Sequence, residues 1–207
     1  MKETLAFFGA FNPPSIAHLD LAAFALRETG AKRVLFVPSR AVYIRDTQGK
    51  DFVYGDERRL EMLRRAAESR PWMEVTDLEI RQQTQPRTYD TLCRLREQGC
   101  TATLLMGSDK LTELETGWRH VEEIAREFGI LVLTRGADEC QRMLREDPYL
   151  ASLAPWIRVI QTPEQTRNIS STRVRQLVRE IRERQEQLSS MVDPAILPLL
   201  QRADGEE

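Results

Sequence analysis

Short apolar runs bounded by turn residues alternate with amphipathic stretches along most of this chain. Residues 5–8, 34–37, 73–75, 102–106, 130–133 and 157–160 are the apolar runs. Their near-continuous apolar character predicts strands of a sheet covered on both faces. Between them, residues 19–28, 57–69, 88–98 and 121–127 repeat apolar positions at helical spacing. In the second of these, Leu60, Leu63, Ala66 and Ala67 share one face among Arg58, Arg59, Arg64 and Arg65. Gly30, Gly99 and Gly129 follow helices, where a left-handed cap is favoured. This alternation predicts an α/β fold: a doubly wound parallel sheet with helices on both faces and right-handed crossovers.

Two segments break the rhythm. Residues 39–54 are long and polar, with Arg40, Arg45 and Lys50, and read either as a mobile loop over a site or as a plain surface loop. From Ser171 onward the chain is helical and arginine-rich, with Arg173, Arg175, Arg179, Arg182 and Arg184. Glu180, Glu183 and Glu186 are mixed in, so most of that run is a solvated helix face. Residues 203–207 are expected to fray.

Composition narrows the function classes. The 207 residues are 41% hydrophobic and carry 30 basic and 32 acidic side chains, for a formal net charge of -2. That balance invites neither nucleic acid nor an anionic membrane. No apolar run approaches a spanning helix, and the N-terminus lacks an export pattern, so a cytoplasmic location is expected. Cys93, Cys100 and Cys140 are odd in number and form no CxxC pair, which predicts free buried thiols. His18 and His120 are far apart and ungrouped with cysteines, so no protein-held metal is expected.

The chemistry concentrates at two points. Strand 5–8 runs into Gly9-Ala10-Phe11-Asn12-Pro13-Pro14-Ser15, and His18 stands one turn into the next helix. Gly9 and Ala10 let the backbone turn closely, and the helix N-terminus offers free N–H groups to an anion. His18 can donate to a phosphate oxygen, or cap its own helix. Near the other end stands Ile169-Ser170-Ser171-Thr172-Arg173-Val174-Arg175. It reads as an ordinary N-cap or as hydroxyls and guanidinium gathered on one anion. Two phosphate-suited helix starts in one sheet point to a nucleoside triphosphate.

At these residues the chain resembles the nicotinate-mononucleotide adenylyltransferases of bacterial NAD synthesis, in the HxGH nucleotidyltransferase superfamily. Besides the two segments above, the resemblance includes Leu35-Phe36-Val37-Pro38, Arg59-Leu60-Glu61-Met62-Leu63, Thr88-Tyr89-Asp90-Thr91-Leu92, Met106-Gly107-Ser108-Asp109 and Gly117-Trp118. It covers nearly the whole chain. It implies a single Rossmann-like nucleotidyltransferase domain over 1–207, with 171–202 as its C-terminal helical part. The implied reaction moves AMP from ATP to nicotinate mononucleotide and releases pyrophosphate, with magnesium carried by the ATP phosphates.

Residue roles follow from the resemblance. His18 matches the second histidine of the motif, a phosphate donor in the transition state, and Ser15 stands at the first. Gly9, Ala10 and Phe11 lie along the nucleotide. Ser171, Thr172 and Arg175 match the segment that holds the triphosphate. Gly107 and Asp109 match the turn facing the ATP ribose, and Arg135 matches a basic position near the nucleotide or is a solvated loop arginine. Trp118 matches the platform for the pyridine ring or is a half-buried core tryptophan, and Thr88 matches the hydroxyl that meets the nicotinate carboxylate. Asp90 either caps its helix or touches ligand. Trp72 and Trp156 are assigned to packing.

The chain departs from the pattern at three places. Its motif is Ser15-Ile16-Ala17-His18, with serine for the first histidine and alanine for glycine. The usual Pro-His-Lys loop is replaced by Pro38-Ser39-Arg40, and Arg40, Arg45 or Lys50 can supply the missing charge. These departures allow two alternatives: a weakly active nucleotide-binding or sensor protein, or a nucleotidyltransferase for another phosphorylated acceptor. The sequence leaves the oligomeric state open.

Overall fold

A computed structural model of the protein describes residues 2–50, 52–134, 137–162, 171–172, 174–175 and 190–201. In chain order it forms β1 (Thr4–Gly9), α1 (Ile16–Thr29), β2 (Arg33–Pro38), α2 (Ala41–Asp46), α3 (Asp56–Ala67), β3 (Met73–Val75), α4 (Thr88–Glu97) and β4 (Ala102–Gly107). The short helices α5 (Leu114–Gly117) and α6 (Val121–Glu123) follow, then β5 (Ile130–Thr134), α7 (Ala137–Glu146), α8 (Pro148–Leu153) and β6 (Ile157–Gln161). A helix at Leu197–Gln201 closes the described chain.

The strands make one six-stranded parallel sheet in the order β3-β2-β1-β4-β5-β6, the parallel arrangement expected from the alternation and the Rossmann-like fold implied by the resemblance. The register pairs Phe7 with Leu105 and Leu133 with Ile160. Strand order reverses at β1 and β4; in open α/β sheets ligands bind beyond the carboxyl ends of the strands at such a reversal. β1 runs out into Gly9, and β4 into Gly107.

All six predicted strands are present, each lengthened by at most one residue at an end. The helix terminators also behave as expected. Gly30 and Gly99 adopt φ of +70° and +82° just after α1 and α4, a region costly for any residue with a Cβ. The predicted helix over 121–127 is α6 continued by a wider π-helical turn, Ile124–Phe128.

Contacts divide the chain into two compact units. The first gathers Met1–Phe8, Leu21–Leu35 and Pro86–Arg167. Its buried side chains include Leu5, Ala6, Leu104, Leu105, Leu131 and Val132 from the strands. At its edge strand, Arg158 of β6 donates to the Glu28 carbonyl at 2.9 Å. Trp156, assigned to packing from sequence, is 38% exposed and lies under the Arg126 guanidinium. Of the three free cysteines only Cys140 is buried; Cys93 and Cys100 are half-buried.

The second unit gathers Gly9–Asp20, Phe36–Gln85 and Asn168–Glu207. Its core joins Tyr54, Met62, Val174, Met191, Val192, Ile196, Leu199 and Leu200. Residues 39–54 are neither of the loops expected from their polarity. They contain α2, and Ala41, Ile44, Val53 and Tyr54 are buried. Ala41 and Ile44 recur at i and i+3, a single helical turn too short to register as periodicity. Among the described residues, no helix is long and apolar enough to cross a membrane.

Candidate functional site

In the second unit, the turn after β1 is built of buried polar bonds. Phe11 takes a left-handed φ of +42° and is 1% exposed. Its ring occupies the space beside Gly9, where a Cβ would come within 3.1 Å of the ring. The close approach that Gly9 permits is thus made by Phe11. Asn12 is buried and donates from Nδ2 to the Phe52 carbonyl at 2.7 Å, while its Oδ1 accepts from Tyr54 N–H at 2.9 Å. These bonds fasten residues 52–54 to the turn.

Arg59 supplies the other fastening. Its side chain is fully buried. It donates to the carbonyls of Ala10 at 2.7 Å, Ser39 at 2.5 Å and Tyr54 at 3.2 Å, and pairs with Asp56. Burial lowers its pKa, and Asp56 opposes that shift. Arg59 stands at i, i+4 and i+7 with Leu63 and Ala66, so the helical stripe itself carried the signal.

Ser15 and His18 meet at the start of α1. The Ser15 backbone N–H donates to His18 Nδ1 at 3.0 Å, and the Ser15 hydroxyl oxygen lies 2.8 Å from the same atom. The ring stands edge-on to Phe11, with centroids 5.2 Å apart and planes at 70°. The imidazole keeps part of its surface open, yet desolvation and then the Lys50 charge lower its pKa to about 4. At neutral pH the ring is therefore uncharged, and with Nδ1 accepting, Nε2 carries the hydrogen.

The first turn of α1 is not an open array of amides. Ile16 N–H donates to the Met191 carbonyl at 2.8 Å, and the N–H groups of His18 and Leu19 reach the Ser15 carbonyl. Sequence gave no sign of Met191, which comes from the far end of the chain. Its segment is held in turn by Asp193, which pairs with Arg70 at 2.6 Å and caps Ala195 N–H at 2.8 Å.

Residues of the second predicted anion segment come to this same turn. The Ser171 hydroxyl donates to the Pro13 carbonyl at 2.8 Å, and Arg175 donates to the Asn12 carbonyl at 2.6 Å. Arg175 also reaches Thr172 Oγ1 at 3.2 Å. Val174 between them is buried in the core of the unit. Sequence positions more than 150 residues apart are thereby joined through backbone carbonyls.

Thr88, Gly107, Asp109 and Trp118 belong to the first unit. Asp109 is exposed and folds back over Gly107, where a Cβ would fall 2.5 Å from its Oδ1. Thr88 opens α4 and is half-buried, as is Trp118 after α5. Asp90 lies exposed in the first turn of α4. Beside Thr88, Tyr89 stacks on His120 at 5.1 Å, and His120 takes a left-handed φ of +58°. The Tyr89 hydroxyl donates to Glu127 at 2.9 Å, a bond that pushes its pKa up to about 12. Arg135, Ile169, Ser170 and Arg173 lie outside the described residues, as do the predicted helical arginines Arg179, Arg182 and Arg184.

Comparison with known proteins places the chain among nucleotidyltransferases. A protein named "Probable nicotinate-nucleotide adenylyltransferase" from Caldicellulosiruptor bescii is 29% identical over 202 residues, covering 98% of this chain and 97% of its own. One of the same name from Neisseria meningitidis serogroup A is 30% identical over 186 residues, covering 84% of this chain and 88% of its own. Among solved structures, Plasmodium falciparum nicotinic acid mononucleotide adenylyltransferase complexed with NaAD shares the fold at a TM-score of 0.71. That match has 18% identity and covers 97% of this chain and 95% of that one. Residues 6–177 match the cytidylyltransferase-like family, and with these relatives the chain belongs to that family and, within it, to the nicotinate-nucleotide adenylyltransferases, which are nucleotidyltransferases.

Proposed function

We propose that the protein transfers the adenylyl group of ATP to the phosphate of nicotinate mononucleotide, forming nicotinate adenine dinucleotide and releasing pyrophosphate. What supports this reading is the docking of Ser171 and Arg175 on the Pro13 and Asn12 carbonyls, in the turn that leads into the helix of His18.

The chemistry asks little covalent work of the protein. An acceptor phosphate oxygen forms a bond to the α-phosphorus of ATP, while the bond from that phosphorus to the bridging oxygen breaks. The electron pair leaves on pyrophosphate. The nucleophile is already an anion, so no base is needed, and catalysis reduces to positioning and charge stabilisation. His18 donates its Nε2–H to an oxygen of the reacting phosphate. Ser171, Thr172 and Arg175 take the triphosphate, which competes with the Asn12 and Pro13 carbonyls for them; a guanidinium has five N–H donors to divide. Gly9, Ala10 and Phe11 carry the backbone along the nucleotide, and Arg135 adds positive charge.

The resemblance assigns the ATP ribose to Gly107 and Asp109, the nicotinate carboxylate to Thr88 and the pyridine ring to Trp118. Ring stacking contributes about 0.5–1.5 kcal/mol beyond buried area. Among the described residues, no group of three or more His, Cys, Asp or Glu side chains is placed to hold a metal. Magnesium carried by the ATP phosphates would neutralise part of their charge. Such an enzyme would work in the cytoplasm with its soluble substrates.

Pyrophosphate release is the test, with ATP and magnesium and either nicotinate mononucleotide or its amide counterpart as acceptor. Turnover favouring the acid is expected, because a carboxylate accepts from the Thr88 hydroxyl whereas a carboxamide brings its own donor. ATP binding without turnover would make the protein a nucleotide-binding homologue instead. Turnover only with a different phosphorylated acceptor would reassign the substrate.

A further inference from the structure

We propose that Ser15 is a positioning residue, which locks the His18 ring with Nδ1 as acceptor and Nε2 as donor, and is not itself a phosphate ligand. Ser15 is 1% exposed, so a ligand oxygen has almost no surface of it to meet. Its hydroxyl is 2.8 Å from His18 Nδ1, and its backbone N–H is 3.0 Å from the same nitrogen. An amide N–H can only donate. Nδ1 therefore holds its lone pair toward Ser15, the hydroxyl donates to it as well, and in a neutral ring the proton sits on Nε2.

The rest of the local structure fixes the pair. The Ser15 carbonyl accepts from His18 N–H at 3.0 Å and from Leu19 N–H at 3.4 Å, while Ile16 is tied to Met191. Phe11 stands edge-on to the imidazole and sets its plane. Phe11 is itself seated against Gly9 and tilted on Phe36, with centroids 5.3 Å apart. Backbone, hydroxyl and aromatic edge together leave the imidazole one orientation. A buried serine makes the bond from a short side chain; an imidazole at the same 1%-exposed position would have to displace its neighbours. The variant motif is thus a different solution for holding His18, in which the first position acts through the second.

The catalytic consequence rests on the adenylyl-transfer reading, but the hydrogen bond does not, and two measurements separate them. Nitrogen-15 labelling of histidine in the whole protein gives two imidazole spin systems, since the chain contains only two histidines. At pH 7, His18 should show a protonated Nε2 and a hydrogen-bonded Nδ1, and Ser15→Ala should shift the Nδ1 resonance while His120 stays put. In kinetics, Ser15→Ala should lower kcat about tenfold with the ATP KM changed less than about threefold. Ser15→Thr, which keeps the hydroxyl, should recover most of the loss. A protonated Nδ1 in the wild type, or an Nδ1 resonance unmoved in Ser15→Ala, overturns the proposal. So does an ATP KM that rises while kcat holds, which is how a ground-state ligand of the ATP phosphates behaves. If the wild type turns over no substrate, the adenylyl-transfer reading fails, and the nitrogen resonances alone still decide the Ser15–His18 bond.

Discussion

Two strands end in glycine, and the two glycines do opposite things. After Gly9 the missing Cβ is filled by the Phe11 ring, which supports His18 and is buried. After Gly107 it is filled by the exposed carboxylate of Asp109, two residues on. The first turn is a rigid seat held by hydrogen bonds of three buried residues, Asn12, Arg59 and Ser15. The second carries its candidate ligand on a side chain that solvent reaches. The difference teaches where preorganisation is built in: at the position proposed to meet the reacting phosphate, more than at the position proposed to meet a ribose.

The largest expected effect comes from removing the seat. Arg59→Ala strips the donor from three carbonyls and leaves Asp56 without its cation, so a loss of about 3–5 kcal/mol is expected. Urea unfolding measures it, and a loss below about 1 kcal/mol would mean the turn does not depend on Arg59. Next is Arg175→Ala. A charge-assisted hydrogen bond is worth roughly 1.5–3 kcal/mol, so the ATP KM should rise by at least about tenfold with less effect on the acceptor KM. An unchanged ATP KM and turnover would remove Arg175 from the triphosphate site.

Protonation should also separate the two turns. His18 is held at about 4 in the folded protein against about 6.5 when unfolded. Between those values the unfolded chain binds more protons, so His18's contribution to stability is present above the unfolded value and is lost as pH falls from about 6.5 toward 4. Lys50, which faces the ring electrostatically, strengthens the effect. His18→Gln should flatten that part of the curve in urea melts at pH 7 and pH 4.5. The same slope in both proteins would contradict it.

The smallest effects sharpen the contrast directly. In Gly9→Ala the new methyl meets a buried ring, so kcat should fall with a stability loss of about 1 kcal/mol. In Gly107→Ala the new methyl meets only a carboxylate that can swing into solvent. There the melting temperature should hold while the ATP KM rises. Equal patterns in the two variants would erase the distinction.

The fold was legible because strands such as 102–106 and 130–133 are short, apolar and separated by helical spacing, signals that depend on local order alone. The positions of His18, Ser171 and Arg175 were equally plain as residue types near helix starts. What sequence could not supply were bonds whose partners are distant and made by backbone: Met191 to Ile16, Asn12 to residues 52 and 54, Arg175 to Asn12. Carbonyls carry no residue signature, so no pattern announces them. Arg59 is the instructive exception. It shares the i, i+4, i+7 stripe of α3 with the buried Leu63 and Ala66, a spacing that local order carries although the residue is charged.

The most direct measurement is turnover of His18→Ala with ATP, magnesium and nicotinate mononucleotide, followed by pyrophosphate release and set beside its thermal unfolding. A loss of roughly 10²-fold in kcat with the fold retained is the expected result, since a single preorganised donor to a transition-state oxygen is worth about that much. An active wild type whose kcat is indifferent to His18→Ala would contradict the assignment of this turn as the seat of the reacting phosphate.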